Sequence, residues 1–195
     1  MSRIGIMGGT FDPIHIGHLI AAVSAMEAAE LDEVWFIPAA TPPLKPNAPI
    51  ADEQHRLEMV KLATRHEPRF RVLDIELKRG GTSYSIDTIA SLMEQHEGCD
   101  FHYIVGSDRI HDLPQWHRAE ELRQRIGFIG LNRPSAPLQP ELLPQAWRSS
   151  VAIITAPQIE ISSTELRKRA AQGKSLRYFV ADEVEQYIRR YHLYE

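Results

Sequence analysis

Two histidines near the amino terminus, His15 and His18, are the first residues whose type and spacing indicate chemistry. They are three residues apart, a spacing that on a helix can place both imidazoles on one side of the first turn. Gly8 and Gly9 precede them, and glycine lets the backbone approach a ligand closely. Because amides at a helix start are unpaired and carry partial positive charge, the segment from Gly8 to His18 is predicted to bind a phosphate.

Two other interpretations of this segment stay open. A glycine turn before a helix is common in α/β proteins, and histidines there often serve only in capping or at the surface. Asp12 together with the two histidines has the residue types of a metal site, but zinc needs a further ligand, and the cluster from Asp108 to Asp112 has no evident reason to converge on them. The chain contains neither GxxxxGK[ST] nor GxGxxG, so a P-loop is excluded and a dinucleotide-binding turn is disfavoured.

A second group of residues near the carboxyl terminus has the composition of an anion site. Ser162 followed by Glu165 is the pattern of a capping box, so we expect a helix to begin here. Its first free amides would lie near Ser163 and Thr164. Ser163 and Arg167 are four residues apart and share a face of that helix. Hydroxyls, amides and a guanidinium suit an anion, although a capped helix with a surface arginine has the same pattern.

Four further side chains are candidates because of their position along the chain. Lys45 lies in a proline-rich loop after the second predicted strand, and Arg133 opens another proline-rich loop. Asp108 follows a predicted fourth strand that ends at Gly106, where an acid can accept hydrogen bonds from ribose hydroxyls. Trp116 precedes a helix, and on local grounds a tryptophan there belongs to the core more often than to a ligand platform.

The elements that must position these residues follow from the apolar pattern. Strands are predicted at residues 3–7, 33–38, 70–77, up to 106, 126–131 and 151–155, and helices between them, with Asp52 and Ser85 as caps of two. A strand, helix and strand form a right-handed parallel crossover, which places the Gly8 to His18 turn at the carboxyl edge of the sheet. The predicted fold is a Rossmann-like doubly wound parallel sheet of five or six strands with helices on both faces.

Length and composition limit the remaining possibilities. The chain of 195 residues suits a single domain, and its net charge of −4 without a basic block argues against duplex nucleic acid as a partner. Cys99 is the only cysteine, which excludes an internal disulfide and suits a reducing cytoplasm. We expect no signal peptide and no membrane span. A homodimer is allowed, since nothing in the sequence decides the oligomeric state.

Several motifs together resemble the bacterial nicotinate-nucleotide adenylyltransferases of the HxGH nucleotidyltransferase superfamily. The motifs are GGTFDPIHIGH, SYSIDT, IVGSD, LPQWHR and ISSTELRKR, and the likeness runs from Arg3 to the final helix. HxGH alone indicates the superfamily, whereas SYSIDT and LPQWHR are similar to this member. The family loop usually reads PPHK where this chain has PPLK, so Leu44 removes a polar group beside Lys45.

The resemblance implies the transfer of an adenylyl group from ATP to nicotinate mononucleotide, with Mg²⁺ entering through the ATP phosphates. It implies an ATP site formed by Gly8, Gly9, Thr10, Phe11, His15, His18, Gly106, Asp108, Arg133, Ser163, Thr164 and Arg167. The implied nicotinate mononucleotide site comprises Lys45, Ser83, Tyr84 and Trp116, whose indole would stack on the nicotinate ring. His15, His18, Lys45 and Arg167 would be the catalytic residues.

This chemistry agrees with the residues present. A substrate phosphate, with a second pKa of about 6, is ionised near neutral pH, so it needs no general base to attack the α-phosphorus. Catalysis then consists of alignment and of positive groups that offset the repulsion of two anions. Two alternatives stay open: another HxGH-type adenylyltransferase with nicotinamide mononucleotide or pantetheine phosphate as acceptor, and a non-catalytic nucleotide-binding sensor. A sensor has no need of the positive groups.

Overall fold

The computed structural model describes residues 1–43, 49–132, 141, 143–157 and 159–195, with the backbone but not the side chain of Asp108. Two predicted site residues, Lys45 and Arg133, lie outside the described residues. The elements are, in order, β1 (Ser2–Gly9), α1 (Ile16–Ala28), β2 (Glu33–Pro38), α2 (Glu53–Thr64), β3 (Phe70–Val72), α3 (Ile75–Arg79), α4 (Ser85–Gln95), β4 (Cys99–Gly106), α5 (Ser107–Ile110), a 3₁₀ turn (Leu113–Gln115), α6 (Ala119–Arg125), β5 (Gly127–Asn132), α7 (Gln145–Arg148), β6 (Val151–Thr155), α8 (Ser163–Ala171) and α9 (Asp182–Arg190).

The strands form one parallel sheet in the order β3-β2-β1-β4-β5-β6, which confirms the predicted doubly wound fold with six strands. At its centre Ile6 pairs with Trp35 on one side and with Tyr103 on the other. The chain builds outward from β1 in one direction and then from β4 in the other. The carboxyl ends of β1 and β4 therefore flank the switch point, where open α/β sheets bind ligands.

Both faces of the sheet are covered, and alternate residues of β2 show this directly. Val34 and Phe36 belong to a core that includes residues of α1, α2, α8 and α9. Trp35 and Ile37 belong to a second core with α4 and α6. Successive strand residues point to opposite faces, so burial on both sides explains the continuous apolar run of this strand. No helix among the described residues combines the length and the apolar character that a membrane span requires.

The predicted third strand is wrong over most of its length. Residues 70–77 were expected as strand, but β3 is only Phe70–Val72, and α3 begins at Ile75. β3 lies at the sheet edge and pairs only with β2. Because a short apolar run fits a strand and a buried helical turn equally well, the pattern alone could not distinguish them. The difference matters for the site, because Glu76 lies on α3 and lines the cavity described below.

The structure settles three predicted helix starts. Asp52 caps α2 by accepting a hydrogen bond from His55 N at 2.8 Å, and Ser162 caps α8 by accepting one from Glu165 N at 3.2 Å. The cap predicted at Ser85 is wrong: the Tyr84 carbonyl already accepts from two amides of the first turn, so α4 is capped one residue earlier.

Candidate active site

The predicted phosphate loop connects β1 to α1 at the carboxyl edge of the sheet. The imidazoles of His15 and His18 stack with 3.7 Å between their ring centroids, which confirms that both lie on one side of the first turn. The backbone N–H of His15 donates to Nδ1 of His18 at 3.2 Å. Because Nδ1 accepts, the neutral His18 ring carries its proton on Nε2, a donor suited to an anion.

Two neighbours of the histidines explain the spacing of the motif. A Cβ at Gly17 would lie 3.1 Å from Nδ1 of His15, so a side chain there would force the stacked ring to shift. Phe11 packs with its ring edge-on to His18, at 5.2 Å between centroids. The glycine between the two histidines therefore leaves the space that the first ring occupies.

The amino-terminal turns of α8 lie against this same loop, as the second predicted anion group required. The Ser163 hydroxyl donates to the carbonyl oxygen of Pro13 at 2.9 Å. Nη1 of Arg167 donates to the carbonyl oxygen of Asp12 at 2.7 Å, and Nη2 donates to the Thr164 hydroxyl at 3.3 Å. Two stretches about 150 residues apart in sequence thus meet at one point of the sheet edge.

A cavity of about 550 Å³ opens beside the loop, a volume suited to a nucleotide-sized ligand. The predicted site residues in its wall are Gly8, Gly9, Thr10, Phe11, His18, Ser83, Tyr84, Trp116 and Ser163. Other predicted residues are described but do not form the wall: His15, Gly106, Thr164 and Arg167. His15 is buried behind His18, and Arg167 contacts the loop from outside the cavity.

Part of the cavity wall is aromatic. Trp116 is partly buried and meets Tyr103 edge to face, with 5.4 Å between ring centroids and 84° between the planes. Tyr84 lies across from His117 at 4.3 Å between centroids. Trp116 packs on the core beneath it and also faces the cavity, so the local expectation of a core residue and the implied ligand contact are both compatible with its position.

Sequence reasoning missed one acidic residue of the wall, Glu76. Its carboxylate is buried and accepts a hydrogen bond from the Thr88 hydroxyl at 2.6 Å. Burial raises the pKa of Glu76 above its ordinary value, and this exceeds the lowering by hydrogen bonds from Thr88 and Ser83 and by the charge of Arg79. The prediction of a strand over residues 70–77 concealed this residue, since Glu76 lies four residues beyond the strand that actually forms.

Sequence reasoning also missed Tyr103 and Arg109. Tyr103 comes from the buried strand β4, and burial raises the pKa of its hydroxyl, so the group stays protonated. A Cβ at Gly8 would overlap that hydroxyl, which explains the glycine on the adjacent strand β1. Arg109 adds a positive charge to the wall and lies 3.5 Å from Asp112. The available sequence signal is the DRIHD cluster from Asp108 to Asp112, which contains Arg109 as well as the residue types of a metal site.

The Asp12 carboxylate is occupied by hydrogen bonds, in contrast to the metal-ligand role considered for it. Its buried carboxylate accepts hydrogen bonds from the amides of Ile50 at 2.8 Å and Ala51 at 3.2 Å. It also accepts one from the Tyr194 hydroxyl at 2.7 Å. Within the described part of the chain, no group of three or more histidine, cysteine, aspartate or glutamate side chains is placed to hold a metal ion.

Comparisons with known proteins agree with this geometry. Residues 6–169 match the family model described as Cytidylyltransferase-like. The chain is 44% identical over 196 residues to a protein of Shouchella clausii, covering 100% of this chain and 97% of that one. It is 43% identical over 194 residues to a protein of Oceanobacillus iheyensis, with the same coverage. Both relatives are named "Probable nicotinate-nucleotide adenylyltransferase".

A solved structure supports the fold independently. The Plasmodium falciparum nicotinic acid mononucleotide adenylyltransferase complexed with NaAD superposes with a TM-score of 0.81 at 22% identity, covering 100% of this chain and 98% of that one. The resemblance drawn from the sequence motifs is thereby confirmed. With a family model over most of its length and relatives above 40% identity over all of it, the chain belongs to the nicotinate-nucleotide adenylyltransferase family.

Proposed function

We propose that this cavity transfers the adenylyl group of ATP to nicotinate mononucleotide, forming nicotinate adenine dinucleotide and pyrophosphate in NAD biosynthesis. One observation carries the assignment: the stacked histidines and the start of α8 meet at one loop, beside a cavity that is also lined by the rings of Tyr84, Tyr103 and Trp116. The first feature suits the phosphates and the second suits a pyridine ring. The names of the relatives at 44% and 43% identity agree with this activity.

The residues divide into two groups under this proposal. The ATP group comprises Gly8, Gly9, Thr10, Phe11, His15, His18, Gly106, Asp108, Arg133, Ser163, Thr164 and Arg167. The acceptor group comprises Lys45, Ser83, Tyr84 and Trp116. Within the ATP group, the placement of the side chains supports different roles. His18 and Ser163 face the cavity, whereas Arg167 would act through the loop that it contacts.

The reaction needs little covalent help from the protein. A phosphate oxygen of nicotinate mononucleotide attacks the α-phosphorus of ATP, the new P–O bond forms, and the bond to the β-phosphate oxygen breaks to release pyrophosphate. The attacking phosphate is already ionised near pH 7, since its second pKa is about 6. The protein's part is to align the two phosphates and to place donors where negative charge accumulates. His18 and the residues from Gly8 to Phe11 line the cavity, which supports this role for the His18 ring and for the loop amides.

We propose that a divalent metal, Mg²⁺, enters with the triphosphate. The Asp12 carboxylate beside the loop is already bonded to two amides and a tyrosine hydroxyl, so it is poorly placed to coordinate the metal. Phosphate oxygens are ligands that Mg²⁺ prefers, and its charge would offset that of the triphosphate. The protein would then bind the metal through ATP rather than through a cage of its own side chains.

The acceptor is tested by incubating the protein with ATP, Mg²⁺ and one acceptor at a time. Nicotinate mononucleotide, nicotinamide mononucleotide and pantetheine phosphate are compared by their rates of pyrophosphate release. We expect the highest kcat/KM with nicotinate mononucleotide. A preference for another acceptor would assign the chain to another activity of the superfamily. ATP binding without turnover on any of the three would instead indicate a nucleotide sensor.

A further inference from the structure

The carboxyl-terminal tail reaches the loop that is proposed to bind ATP. The hydroxyl of Tyr194, the penultimate residue, donates to Oδ1 of Asp12 at 2.7 Å, and 182 residues separate the two in sequence. Tyr194 is partly buried and packs against the core shared by α1, α2, α8 and α9. The tail is therefore fixed in place at this point, where the ends of a chain are often poorly ordered.

Asp12 connects three separate segments through one carboxylate. Oδ2 accepts from the amide of Ile50 at 2.8 Å, and Oδ1 accepts from the amide of Ala51 at 3.2 Å. The Tyr194 hydroxyl supplies the third bond. Only 5% of Asp12 is exposed to solvent, so the carboxylate depends on these partners rather than on water. Removing the hydroxyl would leave a buried charge with one fewer donor.

The remaining contacts of the loop explain why the orientation of Asp12 matters. Arg56 is fully buried, and its Nη1 donates to the carbonyl oxygen of Thr10 at 2.8 Å. Arg167 donates to the carbonyl oxygen of Asp12 itself. Since the C=O and N–H of a trans peptide point in opposite directions, the amide of Phe11 points away from Arg56. Arg56 thus holds the carbonyl that fixes the direction of the Phe11 amide, and Arg167 holds the carbonyl that precedes Pro13, a residue without an amide hydrogen.

Tyr194 supplies a neutral donor to Asp12, whereas the neighbouring side chains Arg56 and Arg167 are charged. Nη1 of Arg167 lies 4.0 Å from Oδ2 of Asp12, and Arg56 also lies close enough for its charge to interact with this carboxylate. Burial and the neighbouring Asp12 raise the pKa of Tyr194, so its hydroxyl stays protonated and continues to donate. A tyrosine completes the hydrogen bonding of the carboxylate without adding charge beside a phosphate site.

We propose that Tyr194 is a positioning residue of the nucleotide site: through Asp12 it fixes the conformation in which the loop from Thr10 to Asp12 presents its amides to the phosphates of ATP. The inference rests on the proposed function, because it takes the loop to be the ATP site. It assigns to the tail a role in substrate binding in addition to packing.

The test is Tyr194→Phe, which removes the hydroxyl and keeps the ring. We expect KM for ATP to rise about tenfold, the scale of one lost hydrogen bond to a charged group, and KM for nicotinate mononucleotide to stay within about twofold. Tyr187→Phe is the matched control, because it removes a hydroxyl that is bonded to Nδ1 of His55 at 2.9 Å and not to Asp12. The control is expected to change neither KM.

Thermal unfolding of each variant sets an assay temperature at which it is folded, and calorimetric titration with ATP gives affinity without turnover. An unchanged ATP affinity in folded Tyr194→Phe would overturn the inference, as would an equal rise in both KM values or the same effect in Tyr187→Phe. His18→Ala separates this from the proposed function. Full activity in that variant would reject the site itself, whereas its inactivity with a normal Tyr194→Phe would reject only the role of the tail.

Discussion

His18 is the side chain on which the proposed chemistry depends most directly. It faces the cavity, and the His15 amide and the Phe11 ring fix its orientation. Because it would donate to charge that develops during transfer, we expect His18→Ala to lower kcat by about 100-fold to 1,000-fold, the usual cost of losing one such donor. The rate of pyrophosphate release measures kcat, and His66→Ala, a substitution at an exposed histidine, is the control. Turnover within about threefold of the wild type would contradict the role.

Trp116 is the side chain that tests the proposed acceptor site. Its indole lines the cavity and packs edge to face against Tyr103. We expect Trp116→Ala to raise KM for nicotinate mononucleotide about tenfold or more and to change KM for ATP much less, since stacking on the pyridine ring is lost. Trp116→Phe should restore part of the affinity. Equal increases in both KM values would show that the indole serves only the fold.

Glu76 links the cavity to the pH dependence of stability. Because its pKa is raised in the folded protein, the folded state binds this proton more tightly than the unfolded chain. The contribution to stability is present below the unfolded pKa of 4.5 and is lost as pH rises through the higher folded value. We therefore expect Glu76→Gln to become more stable relative to the wild type as pH rises through that window. Unfolding at several pH values measures it.

The control for Glu76 is Glu97→Gln, which removes the same charge from an exposed position. Its stability relative to the wild type should not follow the same trend with pH. The free energy of unfolding of Glu76→Gln minus that of the wild type is the quantity compared. If it were constant with pH, or decreased as pH rises, the Glu76 carboxyl would not be the group that binds the proton.

At the scale of elements, β1 and β4 must approach closely where Gly8 faces Tyr103. A methyl group at Gly8 would overlap the Tyr103 hydroxyl, so Gly8→Ala should lower the free energy of unfolding by about 1–3 kcal/mol, as overpacked cores do. In Gly8→Ala with Tyr103→Phe the nearest atom is the ring carbon Cζ at 3.1 Å, and much of the loss should be recovered. Denaturant unfolding of both single variants and the double variant measures this coupling. Purely additive effects would contradict the proposed steric cause.

The elements also show what the sequence could predict. Continuous apolar runs identified β2 and β6 within their observed limits, and the spacing of Ser162 and Glu165 located the start of α8. Residues 70–77 are assigned wrongly, because a short apolar run fits a strand and a buried helical turn equally well. Local pattern therefore located even the edge strand β6 but could not show where β3 ends and α3 begins.

In the candidate site, too, local patterns predicted some residues and missed those that only the fold brings together. Phosphate-binding turns have a local signature, so residue types and spacing single out the segment from Gly8 to His18 as a candidate. The buried carboxyl of Glu76, the hydroxyl of Tyr103 and the bond from Tyr194 to Asp12 arise only when distant segments fold together. No local pattern marks a residue that acts through a contact 182 positions away.

At the scale of the whole molecule, the fold explains how a chain of net charge −4 can bind two anions. Parallel strands bring the β1 to α1 loop and the aromatic wall to one edge of the sheet, where helix starts and a few cations supply local positive charge. Negative charge elsewhere on the surface does not prevent anion binding, because salt screens electrostatic interactions between distant exposed charges. The cytoplasmic location and the homodimer stay predictions.

The most direct test of the account is a crystal structure of the protein with nicotinate adenine dinucleotide bound. The account predicts the diphosphate at the amides of Gly9 to Phe11, within hydrogen-bond reach of His18 and Ser163, and the nicotinate ring against Trp116. It also predicts that the bond from Tyr194 to Asp12 is retained. A dinucleotide bound away from the β1 to α1 loop, or with its two ends exchanged, would contradict the account.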